Sequence, residues 1–188
     1  MAGNNVFTSM PFIPYKIATA ILDNDNLCNL LFYNTYDCLS LKNLTDNQKE
    51  EMIWKQDVDT IDDCHIFLTN TNSKIVTESK TLLQCYKFDT SPTNQVISVV
   101  CYRFDVLFGS DIAMVEYRGV PCNRGDVIEM ELMRSLNGQD VAGAGFLTYD
   151  RNLSRLCGSN TGIGENDKFT GTSIIMCTQI GDIKNGKC

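Results

Sequence analysis

Val96 to Phe108 reads VISVVCYRFDVLF, and this run decides the fold. Its side chains alternate between two faces, with Ile97, Val99, Cys101 and Arg103 on one and Val100, Tyr102, Phe104 and Val106 on the other. Such a density of β-branched and aromatic residues suits a pleated strand. Apolar residues on both faces place that strand at the centre of a sheet or at a contact between subunits. Toward the N-terminus, residues 75–88 alternate loosely and lead into a Ser91-Pro92-Thr93-Asn94 turn. Toward the C-terminus, Ile112–Tyr117 is expected to continue the sheet after Gly109-Ser110. Two short strands, Phe146–Asp150 and Leu153–Cys157, and a last one at Thr172–Ile180 complete the β pattern.

Helical spacing flanks these strands. From Pro14, tolerated in a first turn, Ile17, Ile21, Asn24, Cys28 and Leu31 recur every three to four residues and mark one buried stripe. The run Asp23-Asn24-Asp25-Asn26 offers a break into two short helices, with an Asx residue capping the second. Thr45-Asp46-Asn47-Gln48 has the form of a capping box opening a helix through Trp54. Asp126 is expected to cap a helix carrying Val127, Ile128, Met130, Leu132, Met133 and Leu136, which Asn137-Gly138 ends. Helices, strands, a helix and strands again make an α+β chain with a mostly antiparallel sheet, flanked by an N-terminal helix and one central helix.

At 188 residues this is one domain's worth of chain, and residues 1–188 are read as a single domain. A net charge of −7 opposes nonspecific binding to nucleic acid. The single histidine leaves no room for a multi-His metal site. The nine cysteines, at 28, 38, 64, 85, 101, 122, 157, 177 and 188, include no CxxC pair. MAGNNVFTSMPFIPYK has neither the basic start nor the apolar stretch of a secretory signal, and no apolar run is long enough for a membrane span. With synthesis in a reducing cytoplasm, the cysteines are expected to be structural thiols, Cys101 and Cys177 inside strands. Cys122 and Cys188 are candidates for oxidation across subunits after release of a particle.

The motifs that suggest chemistry fail on their spacing. Asp57, Asp59, Asp62 and Asp63 resemble the start of a calcium loop, but the required Gly and Glu positions hold Asp62 and Leu68. Gly143-Ala144-Gly145 and Gly158 to Gly164 lack the GxxxxGK[ST] pattern of a phosphate cradle. Cys64 and His65 are neighbours, and neighbours on a strand point to opposite faces. No catalytic, metal-binding or cofactor-binding residue is therefore expected. The six arginines, Arg103, Arg118, Arg124, Arg134, Arg151 and Arg155, all lie in the C-terminal half and are candidate interface residues facing acidic loops of a neighbour.

Residues 134–149, RSLNGQDVAGAGFLTY, end a helix in an LNG turn and pass through a glycine-spaced loop into a strand that leads to RNLSRL, residues 151–156. With Asn26 to Tyr33, Asp37-Cys38-Leu39-Ser40 and Phe169-Thr170-Gly171-Thr172-Ser173, this resembles the head-to-tail interface proteins of tailed bacteriophages, and the element order is most similar to the tail-terminator family. The resemblance covers residues 15–40 and 96–180 and makes 41–95 a decorating insertion. It implies a non-enzymatic neck protein of the virion, assembled in the host cytoplasm as a ring, usually a hexamer. Such a ring ends the tail tube and docks it to the head connector, so its partners would be copies of itself, the tail-tube protein and a head-completion or connector protein. DNA would pass through the lumen without specific binding, and no membrane is involved. A stopper or adaptor of the neck, and a cytoplasmic thiol-dependent enzyme using some of the nine cysteines, are the alternatives.

Overall fold

The computed structural model describes residues 10–55, 61–70, 79–93, 97–141, 145–157, 159–163 and 169–181. The chain opens with a 3-10 turn and helix α1 (Ile13–Leu22), followed by α2 (Asp25–Phe32) and α3 (Asp46–Glu51). Strands β1 (Ile66–Phe67), β2 (Thr81–Pro92) and β3 (Ile97–Gly109) come next, then the hairpin β4 (Met114–Tyr117) and β5 (Val120–Asn123). Helix α4 (Arg124–Leu136), β6 (Thr148–Tyr149), α5 (Arg151–Cys157), β7 (Ser159–Ile163) and β8 (Phe169–Gly181) complete it. The fold is α+β. The large sheet runs β1-β2-β3-β8-β6, with β7 also paired to β8 and every pairing antiparallel except β1 with β2.

The two-faced run is a central strand: β3 is paired along its length with β2 on one side and β8 on the other. Val100, Tyr102, Phe104, Val106 and Phe108 point into the main core with Leu83 and Cys85 of β2 and Ile174, Met176 and Ile180 of β8. Ile13, Ile17 and Ile21 of α1, Leu27, Leu30 and Leu31 of α2, and Val127, Ile128, Leu132 and Leu136 of α4 close over them. Burying one such side chain contributes about 1.5–3 kcal/mol, so this layer is the main source of stability. The opposite face is covered in patches. Leu82 and Leu107 pack with Cys64 and Phe67 under Trp54 and Ile61. Helix α5 is pinned to β8 by the Ser154 hydroxyl, which accepts from Ile175 N at 2.8 Å and donates to Asp150 O at 2.6 Å. Gly171 of β8 is required by close approach, because a Cβ there would strike the Val106 carbonyl.

Caps explain the helix boundaries. Asn24 separates α1 from α2 and accepts from Leu27 N at 3.1 Å, and Thr45 and Gln48 form the reciprocal capping box of α3. Helix α4 starts two residues before Asp126, because Asn123 is its cap, accepting from Gly125 N at 2.8 Å and Asp126 N at 3.3 Å. Gly138 follows α4 with φ +75°.

Several expectations are corrected. Leu153–Cys157 is helical, since Asp150 captures Leu153 N with its side chain and Ser154 N with its carbonyl. Ile112–Tyr117 does not continue the large sheet; a 3-10 turn at Ser110–Ile112 redirects the chain, and β4 pairs only with β5 among the described residues. β2 extends through Pro92. Segment 41–95 is no surface decoration. It supplies the inner strand β2 and the core residues Leu44, Met52, Ile53, Ile66, Leu83 and Cys85. No helix among the described residues is long and apolar enough to cross a membrane.

Candidate interaction surface

The β4–β5 hairpin stands apart from the large sheet. Its two turn residues, Arg118 and Gly119, both take positive φ, 54° and 78°, as a two-residue turn matched to the right-handed strand twist requires. Nothing lies within 4 Å of where a Gly119 Cβ would sit. The Arg118 guanidinium lies 5.2 Å from the Tyr117 ring centroid, within cation–π range. Val120, paired with Tyr117 next to the turn, is 53% exposed, and Met114, paired with Asn123 at the open end, is 48% exposed; Glu116 N donates to the Tyr36 carbonyl at 2.7 Å. Val120 thus sits beside the cationic turn, while Met114 lies at the open end of the hairpin on its other face.

The base of this hairpin is rigid because of Arg124. This residue was expected at an interface, yet it is fully buried at 0% exposure. Its Nε donates to Ile112 O at 2.7 Å, Nη1 to Leu30 O at 2.7 Å and Tyr33 O at 3.0 Å, and Nη2 to Thr35 O at 2.9 Å. No carboxylate is among these partners, and burial pushes the group below its ordinary value, though an arginine remains charged. Leu30 O and Tyr33 O belong to the C-terminal end of α2, where unpaired carbonyls attract a cation. The fork therefore ties the end of α2, the following loop and the start of α4 into one unit beneath the hairpin.

The other arginines divide by environment. Arg118, Arg151 and Arg155 are exposed. Arg134 is exposed and bonded at 2.8 Å to Glu131, itself 1% exposed. Arg103, half-buried on the back of the sheet, donates through Nε to Asp105 at 2.7 Å and through Nη2 to Ser173 at 3.2 Å. Tyr86 OH donates to the other Asp105 oxygen at 2.8 Å, and the Ser173 hydroxyl donates to Asp105 as well. Burial, then the Asp105 hydrogen bond and charge, push the Tyr86 phenol up to about 12. One residue each from β2 and β8 and two from β3 are thereby locked in register. The lone imidazole is not part of this group, so no serine–histidine relay forms there.

His65 is buried between the sheet and α2: Nδ1–H donates to Thr81 O at 2.9 Å, and the ring lies 5.6 Å from that of Phe32. Burial lowers its pKa, and the Thr81 hydrogen bond only partly offsets that. Burial raises the thiols instead: Cys28 to about 11, with Cys38 and Cys85 also pushed up. These are core thiols, as expected. Cys101 and Cys177 are not, because the β3–β8 register sets them directly opposite with Cα atoms 4.1 Å apart, and they form a disulfide. Asp57 and Asp59 of the acidic cluster, most of the glycine runs, and Cys188 lie outside the described residues. Among the described residues no group of three or more His, Cys, Asp or Glu is placed to hold a metal ion.

Fold and surface together define an α+β chain whose helix-backed sheet carries a braced, projecting hairpin. The chain belongs to the YomW family, whose model matches residues 24–178, from the cap of α2 to the residue after Cys177. The family name is phage-derived, in keeping with a phage protein, and carries nothing specific to the neck. No curated protein and no solved structure matches the chain.

Proposed function

We propose that this chain is a non-enzymatic structural protein of a phage virion, one that forms a ring in the neck, ends the tail tube and joins the tail to the head connector. The observation that carries the reading is the β4–β5 hairpin, which exposes Val120 and Arg118 at its turn and Met114 at its open end, over a base braced by the buried Arg124. A rigidly mounted hairpin with exposed apolar and cationic side chains is suited to a head-to-tail contact between copies, and such contacts close into rings when the rotation permits. The exposed Arg118, Arg151 and Arg155 supply cations to meet an acidic neighbour. The net charge of −7 disfavours a grip on DNA threading the lumen. A disulfide between Cys101 and Cys177 suits a particle that persists outside a reducing cell. Stopper and adaptor positions in the neck fit the same surface. A thiol enzyme gains no support from Cys28, Cys38 and Cys85, whose burial disfavours the thiolate.

Mass photometry of the purified chain, alone and mixed with tail-tube protein, tests the proposal. Particles of one fixed stoichiometry are expected; monomer alone in both samples overturns it.

A further inference from the structure

We infer that Cys177 is the exchange-reactive sulfur of a thiol–disulfide site, accessible in the folded protein to a small thiol. The Cys101–Cys177 bond joins the two longest strands of the sheet. Its two sulfurs have unequal surroundings. Cys101 is buried at 6% exposure, while Cys177 is half-buried. A groove of about 440 Å³ opens on Cys177, lined by Val99, Phe146, Thr148, Thr178 and Gln179, and Cys101 does not line it. Phe146 is 67% exposed and gives the groove an apolar wall.

Strand pairing sets the direction of approach. Across the back of the sheet, Thr148 of β6, Cys177 of β8 and Cys101 of β3 form one row. A thiolate seated over Thr148 therefore meets Cys177 from the side away from Cys101. Disulfide exchange requires this arrangement, with the incoming sulfur, the attacked sulfur and the leaving sulfur close to a line, and access decides which sulfur is attacked.

The chemistry balances with a small alkyl thiol as co-reactant. The thiolate attacks Cys177 Sγ, a mixed disulfide forms, and the Cys101–Cys177 bond breaks with its electron pair leaving on Cys101, which takes a proton from solvent. A second thiolate then attacks the small molecule's own sulfur in the mixed disulfide and releases Cys177 as a thiol. In sum, two small thiols are oxidised to one disulfide and the protein disulfide is reduced to two cysteines. Run backward, a small-molecule disulfide oxidises the pair through the same Cys177 adduct.

The test uses the full chain in glutathione buffers of graded thiol-to-disulfide ratio, trapped with N-ethylmaleimide and mapped by peptide mass spectrometry. A single glutathione adduct on Cys177 is expected at intermediate ratios, with none on Cys101. Cys101→Ser should hold a stable adduct at Cys177, and Cys177→Ser should leave Cys101 unmodified while circular dichroism reports a native fold. Thr148→Trp, which fills the groove, should slow reduction of the wild-type pair by tenfold or more. An adduct on Cys101, or a pair that reacts only in denaturant, overturns the inference. The wild-type mapping decides the matter alone if a cysteine variant does not fold. None of these readouts depends on ring formation, so the site and the neck assignment fail separately.

Discussion

Arg124 Nη1 lies 2.7 Å from the carbonyl of Leu30, so the first residue of α4 caps the end of α2 from 94 positions further along the chain. A buried cation held by four backbone carbonyls and no acid is an architectural fastener, and its removal strands all four acceptors. Each unsatisfied buried acceptor costs about 1–3 kcal/mol. Arg124→Ala is expected to lose at least about 3 kcal/mol in urea unfolding. Arg124→Lys should recover only part of this, because one ammonium cannot span four carbonyls on three segments.

His65 gives the protein a defined acid sensitivity. Its folded pKa is depressed by burial below the unfolded value of about 6.5. The unfolded chain therefore takes up a proton first, and the stability from the neutral imidazole is complete above about 6.5 and lost as pH falls toward the folded pKa. In thermal unfolding between pH 5 and 7.5, wild type should fall more steeply on acidification than His65→Gln. The single imidazole resonance of the protein should titrate below pH 6.5.

Asp105 is the hub for Arg103, Tyr86 and Ser173. Asp105→Asn removes the charge that helps raise Tyr86, so that phenol should ionise at lower pH than its present value of about 12. The measurement is the ultraviolet titration of the variant against wild type, with Tyr86→Phe subtracted to isolate the one ring. An unchanged Tyr86 would assign the shift to burial alone.

The Cys101–Cys177 link closes a loop of 76 residues. Chain-entropy arguments value a crosslink of that span at about 4 kcal/mol. Reduced protein, or Cys101→Ser with Cys177→Ser, should show a lower urea midpoint with native circular dichroism retained.

For the hairpin, Val120→Glu and Met114→Glu place charges on exposed positions with little effect on the monomer fold, within about 0.5 kcal/mol. Both should abolish the proposed ring particles while leaving the melting temperature of the monomer unchanged.

Local patterns carried much of this architecture. The break at Asn24, the capping box at Thr45 and the two faces of Ile97–Phe108 are properties of neighbouring residues, and each appears where its pattern places it. What escaped depends on distant partners. Leu153–Cys157 is too short for period to tell helix from strand, and the contact that fixes it, Ser154 to Ile175, is 21 residues away. Arg124 resembled the other five arginines because its four acceptors come from residues 30–35 and 112. The cysteine pair required the register of β3 against β8, which no spacing within either strand encodes. A sequence signal for Arg124 did exist: it directly follows the Asn123 cap, at the first helical position, where a long side chain can turn back beneath the preceding hairpin.

The same cysteine pair also limits how far the molecule can be stretched. In the proposed neck position, between a pressurised container and a tube, tension along the backbone would be a natural load. Pulled from its ends, an uncrosslinked chain would pay out every residue between 101 and 177. With the bond intact those 76 residues are bypassed, which removes roughly 260 Å of extension at about 3.4 Å per residue. Helix α4, the hairpin and α5 all lie inside the bypassed length. In force spectroscopy the oxidised protein should therefore show a contour-length gain shorter by about that amount than the reduced one, with the surface proposed for neighbours shielded from the applied force.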